Sequence, residues 1–199
     1  LNLLVDKYIF TEKIMFILDL ETLDIESSAV ILSAAILHFD ETKEYAYDQL
    51  LSRTCFVKFN LKEQVQQYKR TVSKETIAWW KSQSEETKKV SFYPSDRDTN
   101  LLVGLNKLKD YVDSNEGERI VWVRGTLDQI TFNSLCKAAK FPPLFPFKNY
   151  METRTAINLL KETAKSGYCD VPGFDKNLVV KHNPIHDVSY DALQILSGT

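Results

Sequence analysis

Ile14-Met15-Phe16-Ile17-Leu18-Asp19-Leu20-Glu21 is the stretch that decides the fold. Five consecutive apolar residues are what a strand buried on both faces shows, and two acids follow at alternate positions. Alternate residues of a strand share a face, so Asp19 and Glu21 converge while Leu18 and Leu20 face the other way. Two carboxylates at the end of a central strand are expensive beside a core unless a cation neutralises them. Taken alone, an Asp-x-Glu is more often solvated, past the end of its strand.

Working outward, Ala29–Phe39 reads as a second strand, and Tyr45–Phe59 contains a third and less regular one that ends near Val57-Lys-Phe59. Helices then take over. Ser73 is an N-cap before Thr76, Ile77, Trp79, Trp80 and Gln83, and Asp98–Val112 carries Leu101, Leu102, Leu105, Leu108 and Val112 at spacings of three and four. Ile120–Val123 is a further buried strand, and a helix over Asp128–Lys140 stops at Pro142-Pro143. Phe145–Tyr150 suits a short edge strand with Pro146 at its start, and Glu152–Lys165 a helix. A loop over Gly167–His182 leads to a last helix, Ile185–Leu196. Three strands followed by helix–strand–helix units describe an α/β domain with a mixed central β-sheet flanked by α-helices.

The 199 residues are 44% hydrophobic and 26% charged, an ordinary globular balance. The length suits one domain over residues 1–199, with 1–12 as a loose leader that lacks a signal-peptide cleavage pattern. A formal net charge of −2 argues against a protein that coats nucleic acid by charge alone. Cys55, Cys136 and Cys169 lack metal-ligand spacing and read as free thiols in a reducing compartment. No apolar run reaches the length of a membrane span.

Asp128 follows the Ile120–Val123 strand, and Asp187 falls in the first turn of the last helix. Each has an ordinary explanation, as a cap or as a partner of the helix dipole. Together with Asp19 and Glu21, however, they are four acids at the ends of buried elements, a donor set suited to Mg²⁺ or Mn²⁺. His182 and His186 lie four apart, which on a continuous helix would suit zinc. Pro184 between them makes that helix improbable. His38 reads as a half-buried strand histidine.

In its order, Asp19-x-Glu21, then Asp128 after a strand, then His182-x-x-x-x-Asp187, this sequence resembles the DEDDh exonucleases of the DnaQ-like superfamily. Thr76-Ile-Ala-Trp79-Trp80-Lys-Ser-Gln83-Ser84, Trp122-Val-Arg124-Gly125-Thr-Leu-Asp128 and Arg154-Thr-Ala-Ile resemble the exonuclease A group of T-even phages and a related bacterial exoribonuclease group. The resemblance spans about residues 14–197, with Glu152 a departure from the Asp of the phage group. It implies a ribonuclease H-like fold and a 3′–5′ exonuclease that hydrolyses DNA to nucleoside 5′-monophosphates. An exoribonuclease is the alternative, and a domain that binds nucleic acid without cutting is a more distant one.

What the resemblance implies for the site is two divalent cations, roughly 3.5–4 Å apart as in other two-metal sites. Asp19 would bridge them, Glu21 and Asp187 would complete one, Asp128 would hold the other, and His182 would be the general base. His186 is then an additional histidine. The partner is nucleic acid, as single strands or 3′ ends, in the cytoplasm (the host's, for a phage-encoded chain), with no membrane. Trp79, Trp80, Gln83 and Arg124 are candidate substrate contacts. Against these stand two packing tryptophans, a loop cap at Gln83 and an ion pair at Arg124.

Overall fold

The computed structural model describes residues 14–96, 98–115, 119–161 and 167–197. The expected leader, 1–12, lies outside them, as does the end of the helix expected to reach Lys165. Strand β1 (Ile14–Thr22) is the centre of the sheet. It pairs antiparallel with β2 (Ile31–Asp40), which pairs antiparallel with β3 (Cys55–Lys58). On its other side β1 pairs parallel with β4 (Ile120–Val123), and β4 with β5 (Tyr150–Glu152), giving the mixed order β3-β2-β1-β4-β5. This sheet with helices on both faces is the ribonuclease H-like arrangement expected.

The pleat of β1 sorts its side chains. Phe16, Leu18 and Leu20 enter one core with Leu101, Leu105, Leu108 and Val112 of α5 (Leu101–Asp113) and Phe132 and Leu135 of α6 (Thr126–Ala138). Met15 and Ile17 enter the opposite core with Leu50 of α1 (Tyr47–Arg53) and Val188, Ala192 and Ile195 of α8 (Pro184–Leu196). Asp19 and Glu21 continue the Met15–Ile17 row, so the acids emerge where the α8-side core ends. A third cluster places Trp80 against Leu23, Val30 and Leu32.

Several elements differ from the sequence reading. Tyr45–Phe59 contains the expected third strand as the short β3, but the stretch before it is a helix, α1. Its first turn is held by Gln49, whose side chain accepts the Ala46 N–H at 2.9 Å. Helix α2 (Leu61–Tyr68), absent from the reading, is capped by Asn60, whose side chain accepts the Glu63 N–H at 3.0 Å. Ser73 caps α3 (Lys74–Lys81) as expected. It is followed by the single turn α4 (Glu85–Thr87) and a π-helical turn, Lys88–Phe92. The edge strand starts later than expected, because Phe147–Asn149 form a 3₁₀ turn after Pro146. Helix α7 (Thr153–Lys161) then follows β5 directly. Cys55, Cys136 and Cys169 are buried and unbridged. Among the described residues no helix is long and apolar enough to cross a membrane.

Candidate active site

Asp19 and Glu21 from β1 meet Asp187 from the first turn of α8, and one carboxylate oxygen of each lies within 4.8 Å of the others. Asp128 reaches the same strand end from the first turn of α6, where its carboxylate accepts the Leu20 N–H. Gly125, not Asp128, is the N-cap of α6, so the simple capping role does not apply. Among the described residues no lysine or arginine forms an ion pair with any of these four acids. Asp19 Oδ2 is buried with no hydrogen-bond partner.

This arrangement is electrostatically unfavourable as it stands. Burial, reinforced by Asp128, Asp187 and Glu21, pushes the Asp19 carboxyl well above its ordinary range. Burial and Asp187 do the same to Glu21. Asp128 is pushed up to about 8, chiefly by burial, against the relief of the Leu20 hydrogen bond. Burial and the neighbouring Asp191 raise Asp187 to about 7, with Arg124 and the His182 N–H opposing. Four acids that resist ionisation in one place form a strong electrostatic demand for cations.

His182 sits in the left-handed region at φ 58, and its backbone N–H donates to the Asp187 carboxylate. Its Nδ1 is 4.0 Å from Glu21 Oε1, with 43% of the side chain exposed. Burial, with help from Lys181, lowers its pKa. The ring meets Trp79 edge-to-face at 4.8 Å. Three contacts hold the His182 loop. The Thr87 hydroxyl donates to the Lys181 carbonyl at 2.9 Å, and His186 Nδ1 lies 2.9 Å from the Tyr47 hydroxyl and accepts the Val180 N–H at 3.4 Å. His186 is therefore a structural fastening for the loop, and Pro184 begins α8 after His182. His38 is tied to Arg53 far along the sheet, and burial lowers it to about 4.

The paired tryptophans divide as their 100° helical offset implies. Trp80 is fully buried, donates from Nε1 to the Thr22 carbonyl at 2.9 Å and stacks on Phe92. Trp79 is 41% exposed and lines a cleft of about 770 Å³ with Leu20, Glu21, Ser73, Thr76 and Leu127. Gln83 turns back to donate to the Trp79 carbonyl at 3.0 Å, closing the end of α3. Arg124 is engaged with acid: its Nε lies 3.1 Å from both Asp191 oxygens, and Nη1 donates to the Gly167 carbonyl at 2.7 Å. Its guanidinium also lies 4.0 Å from the Tyr168 ring centroid.

Residues 14–196 match the family model described as a 3′–5′ exoribonuclease Rv2179c-like domain. The chain belongs to that family. The Rv2179c-like region runs from β1 through α8 and so includes every element that carries the clustered acids. An exodeoxyribonuclease of Enterobacteria phage T4 is 30% identical over 201 residues, covering 90% of this chain and 86% of that protein. This Rv2179c-like protein is a 3′–5′ exonuclease of the DEDDh type.

Asp191 was not visible to sequence reasoning. It lies one turn beyond Asp187 on α8, is 6% exposed, and is paired with Arg124, which opposes the burial that raises its pKa. An acid in the apolar register of Val188, Ala192 and Ile195 was the available signal. Glu152, the acid that departs from the phage group, accepts the N–H groups of Gly125, Arg154 and Thr155. Burial alone would raise its pKa, but the hydrogen bonds from Thr155, Arg154 and Gly125 hold it below the ordinary value.

Proposed function

We propose that this exonuclease removes nucleoside 5′-monophosphates from the 3′ end of DNA, with two divalent cations held by Asp19, Glu21, Asp128 and Asp187 and with His182 as general base. The observation that carries the proposal is the convergence of Asp19, Glu21 and Asp187 within 4.8 Å without a neutralising side chain. The donor set fits Mg²⁺ or Mn²⁺, since every donor is a carboxylate oxygen and the orphaned Asp19 Oδ2 needs a partner. When bound, such ions polarise the phosphodiester, acidify the attacking water and neutralise charge on the departing oxygen.

The chain's own groups supply the rest. His182 has a lowered pKa, so its ring is neutral near physiological pH and can accept a proton from water. The Asp187 carboxylate fixes the backbone of that residue, and Trp79 limits the ring's movement on one side. The exposed face of Trp79 is suited to stack on the terminal base in the adjoining cleft. The single exonuclease unit extends over the whole chain in this reading, and its setting is the cytoplasm.

The phage relative's description as an exodeoxyribonuclease supports DNA as substrate. The family model's description as an exoribonuclease domain favours RNA as the second reading. A time course on matched 5′-labelled DNA and RNA single strands, with Mg²⁺, Mn²⁺ or EDTA, tests both. A metal-dependent ladder shortening from the 3′ end, faster on DNA, is expected. A faster RNA ladder selects the second reading, and no shortening by folded protein refutes both.

A further inference from the structure

In an in-line displacement the attacking water and the departing 3′-oxygen lie on opposite sides of the phosphorus. His182 and Asp187 come to the site with α8, on one face of the sheet. Asp128 comes with α6, which packs on the other face. If His182 receives the water's proton, the 3′-oxygen leaves on the Asp128 side, and the upstream chain lies there too.

An arginine on α7, a helix that packs against α8, reaches across to the Asp128 turn with its head uncommitted. Arg154, in the first turn of α7, is exposed, and no hydrogen bond or ion pair among the described residues uses its guanidinium. Its positive charge is felt by Asp128 and Asp191. A Cβ built on Gly125 would lie 3.9 Å from Arg154 Nη2, so the guanidinium hangs beside the turn that leads into Asp128. Its stem rests on Gly167, where a Cβ would come within 2.5 Å of Arg154 Cγ. Both glycines have positive φ, 87 and 65, which other residues rarely adopt. Arg124, by contrast, is consumed by Asp191 and the Gly167 carbonyl.

Glu152 sets the position of this arginine. Its Oε1 accepts both the Gly125 N–H at 3.0 Å and the Arg154 N–H at 3.1 Å, and its Oε2 accepts the Thr155 N–H at 2.6 Å. One carboxylate therefore caps α7 and ties it to the start of α6. Arg154 and Asp128 are held in a common frame as a result.

We infer that Arg154 binds the substrate phosphate one step upstream of the scissile bond, through its forked guanidinium on the Asp128 side of the site. The inference rests on the exonuclease reading of the Asp19–Asp187 cluster. The group recognised is a phosphodiester, or a phosphomonoester at the same place, and the planar fork suits two phosphate oxygens at once.

Two short substrates isolate that phosphate: the dinucleoside monophosphate TpT, which lacks it, and pTpT, which has it (or the uridine pair, should RNA be cut faster). Wild-type enzyme should show kcat/KM on pTpT above that on TpT by about tenfold, as expected for a charge-assisted contact at a wet surface. In Arg154→Ala that ratio should collapse to near one, and in Arg154→Lys it should be intermediate. Raising salt should shrink the wild-type ratio. Melting temperatures confirm that each variant is folded. A wild-type ratio near one, or a ratio retained in Arg154→Ala, overturns the inference while the exonuclease stands. Wild-type enzyme that releases 5′-mononucleotide from neither dinucleotide nor longer strands removes the reading beneath it as well.

Discussion

Replacing Asp128 by Asn keeps the side chain's shape and an oxygen to accept the Leu20 N–H, but removes an ionisable group. Burial raises the Asp128 carboxyl from 3.8 to about 8. Folded, metal-free protein therefore keeps this proton through neutral pH, whereas the unfolded chain releases it near pH 4. That difference favours folding fully at acid pH and is lost as the pH rises through about 8. For this group alone, ionisation of the unfolded chain is worth about 4 kcal/mol at pH 7 and about 2 kcal/mol at pH 5. Water entering beside the ionised group reduces the neutral-pH value to about 2–4 kcal/mol. Asn carries no such penalty. In EDTA, Asp128→Asn should melt about 10 °C above wild type at pH 7, and only a few degrees above it at pH 5. Saturating Mg²⁺ should reverse the order, because the wild-type fold gains ion binding that the variant lacks. Thermal melts from pH 5 to 8, with EDTA and with Mg²⁺, make the comparison. A gap that does not widen with pH, or a wild type that melts higher in EDTA at pH 8, refutes the reasoning.

Asp19→Ala or Asp187→Ala should abolish metal-dependent hydrolysis in folded protein; full activity in either would remove that residue from the ligand set. His182→Ala should lose at least a hundredfold in kcat while calorimetry still detects Mn²⁺ binding, and loss of that binding would reassign the residue. Trp79→Ala should raise KM by about tenfold without lowering the melting temperature, whereas Trp80→Ala should destabilise the fold by about 3–5 kcal/mol; equal effects in denaturant titrations would contradict the division of roles. Arg124→Met leaves Asp191 buried and unpaired and should destabilise by about 3–5 kcal/mol, most of it recovered in the double variant with Asp191→Asn.

The central sheet was legible because β1, β2 and β4 are continuous apolar runs. The Asp-x-Glu at the end of β1 and the Asp187 register of α8 likewise follow from strand and helix periods. Helix α2 was hidden because its buried residue is Gln64, whose side chain accepts from and donates to the Ile31 backbone, while Val65 is 42% exposed. A hydrophobic pattern cannot report a helix that packs a polar side chain inward, although Asn60 and Glu63 carried a capping signal. Helix α1 was missed ahead of β3 because Tyr45–Phe59 mixes apolar and polar residues at short range. Arg124 was ambiguous for a different reason: its partner, Asp191, is 67 residues away and looked like any helical acid. Which tryptophan faces the site depended on where α3 docks, which spacing alone does not set.

The left-handed backbone at His182 has a consequence for anyone redesigning this protein. Glycine or asparagine tolerates φ 58 better than histidine, so either replacement should relieve backbone strain of about 1 kcal/mol. A selection that rewards only heat resistance would drift towards such replacements and return well-folded protein without the proposed base. Screens for thermostable variants should therefore score turnover alongside melting, because at this position the two objectives pull in opposite directions.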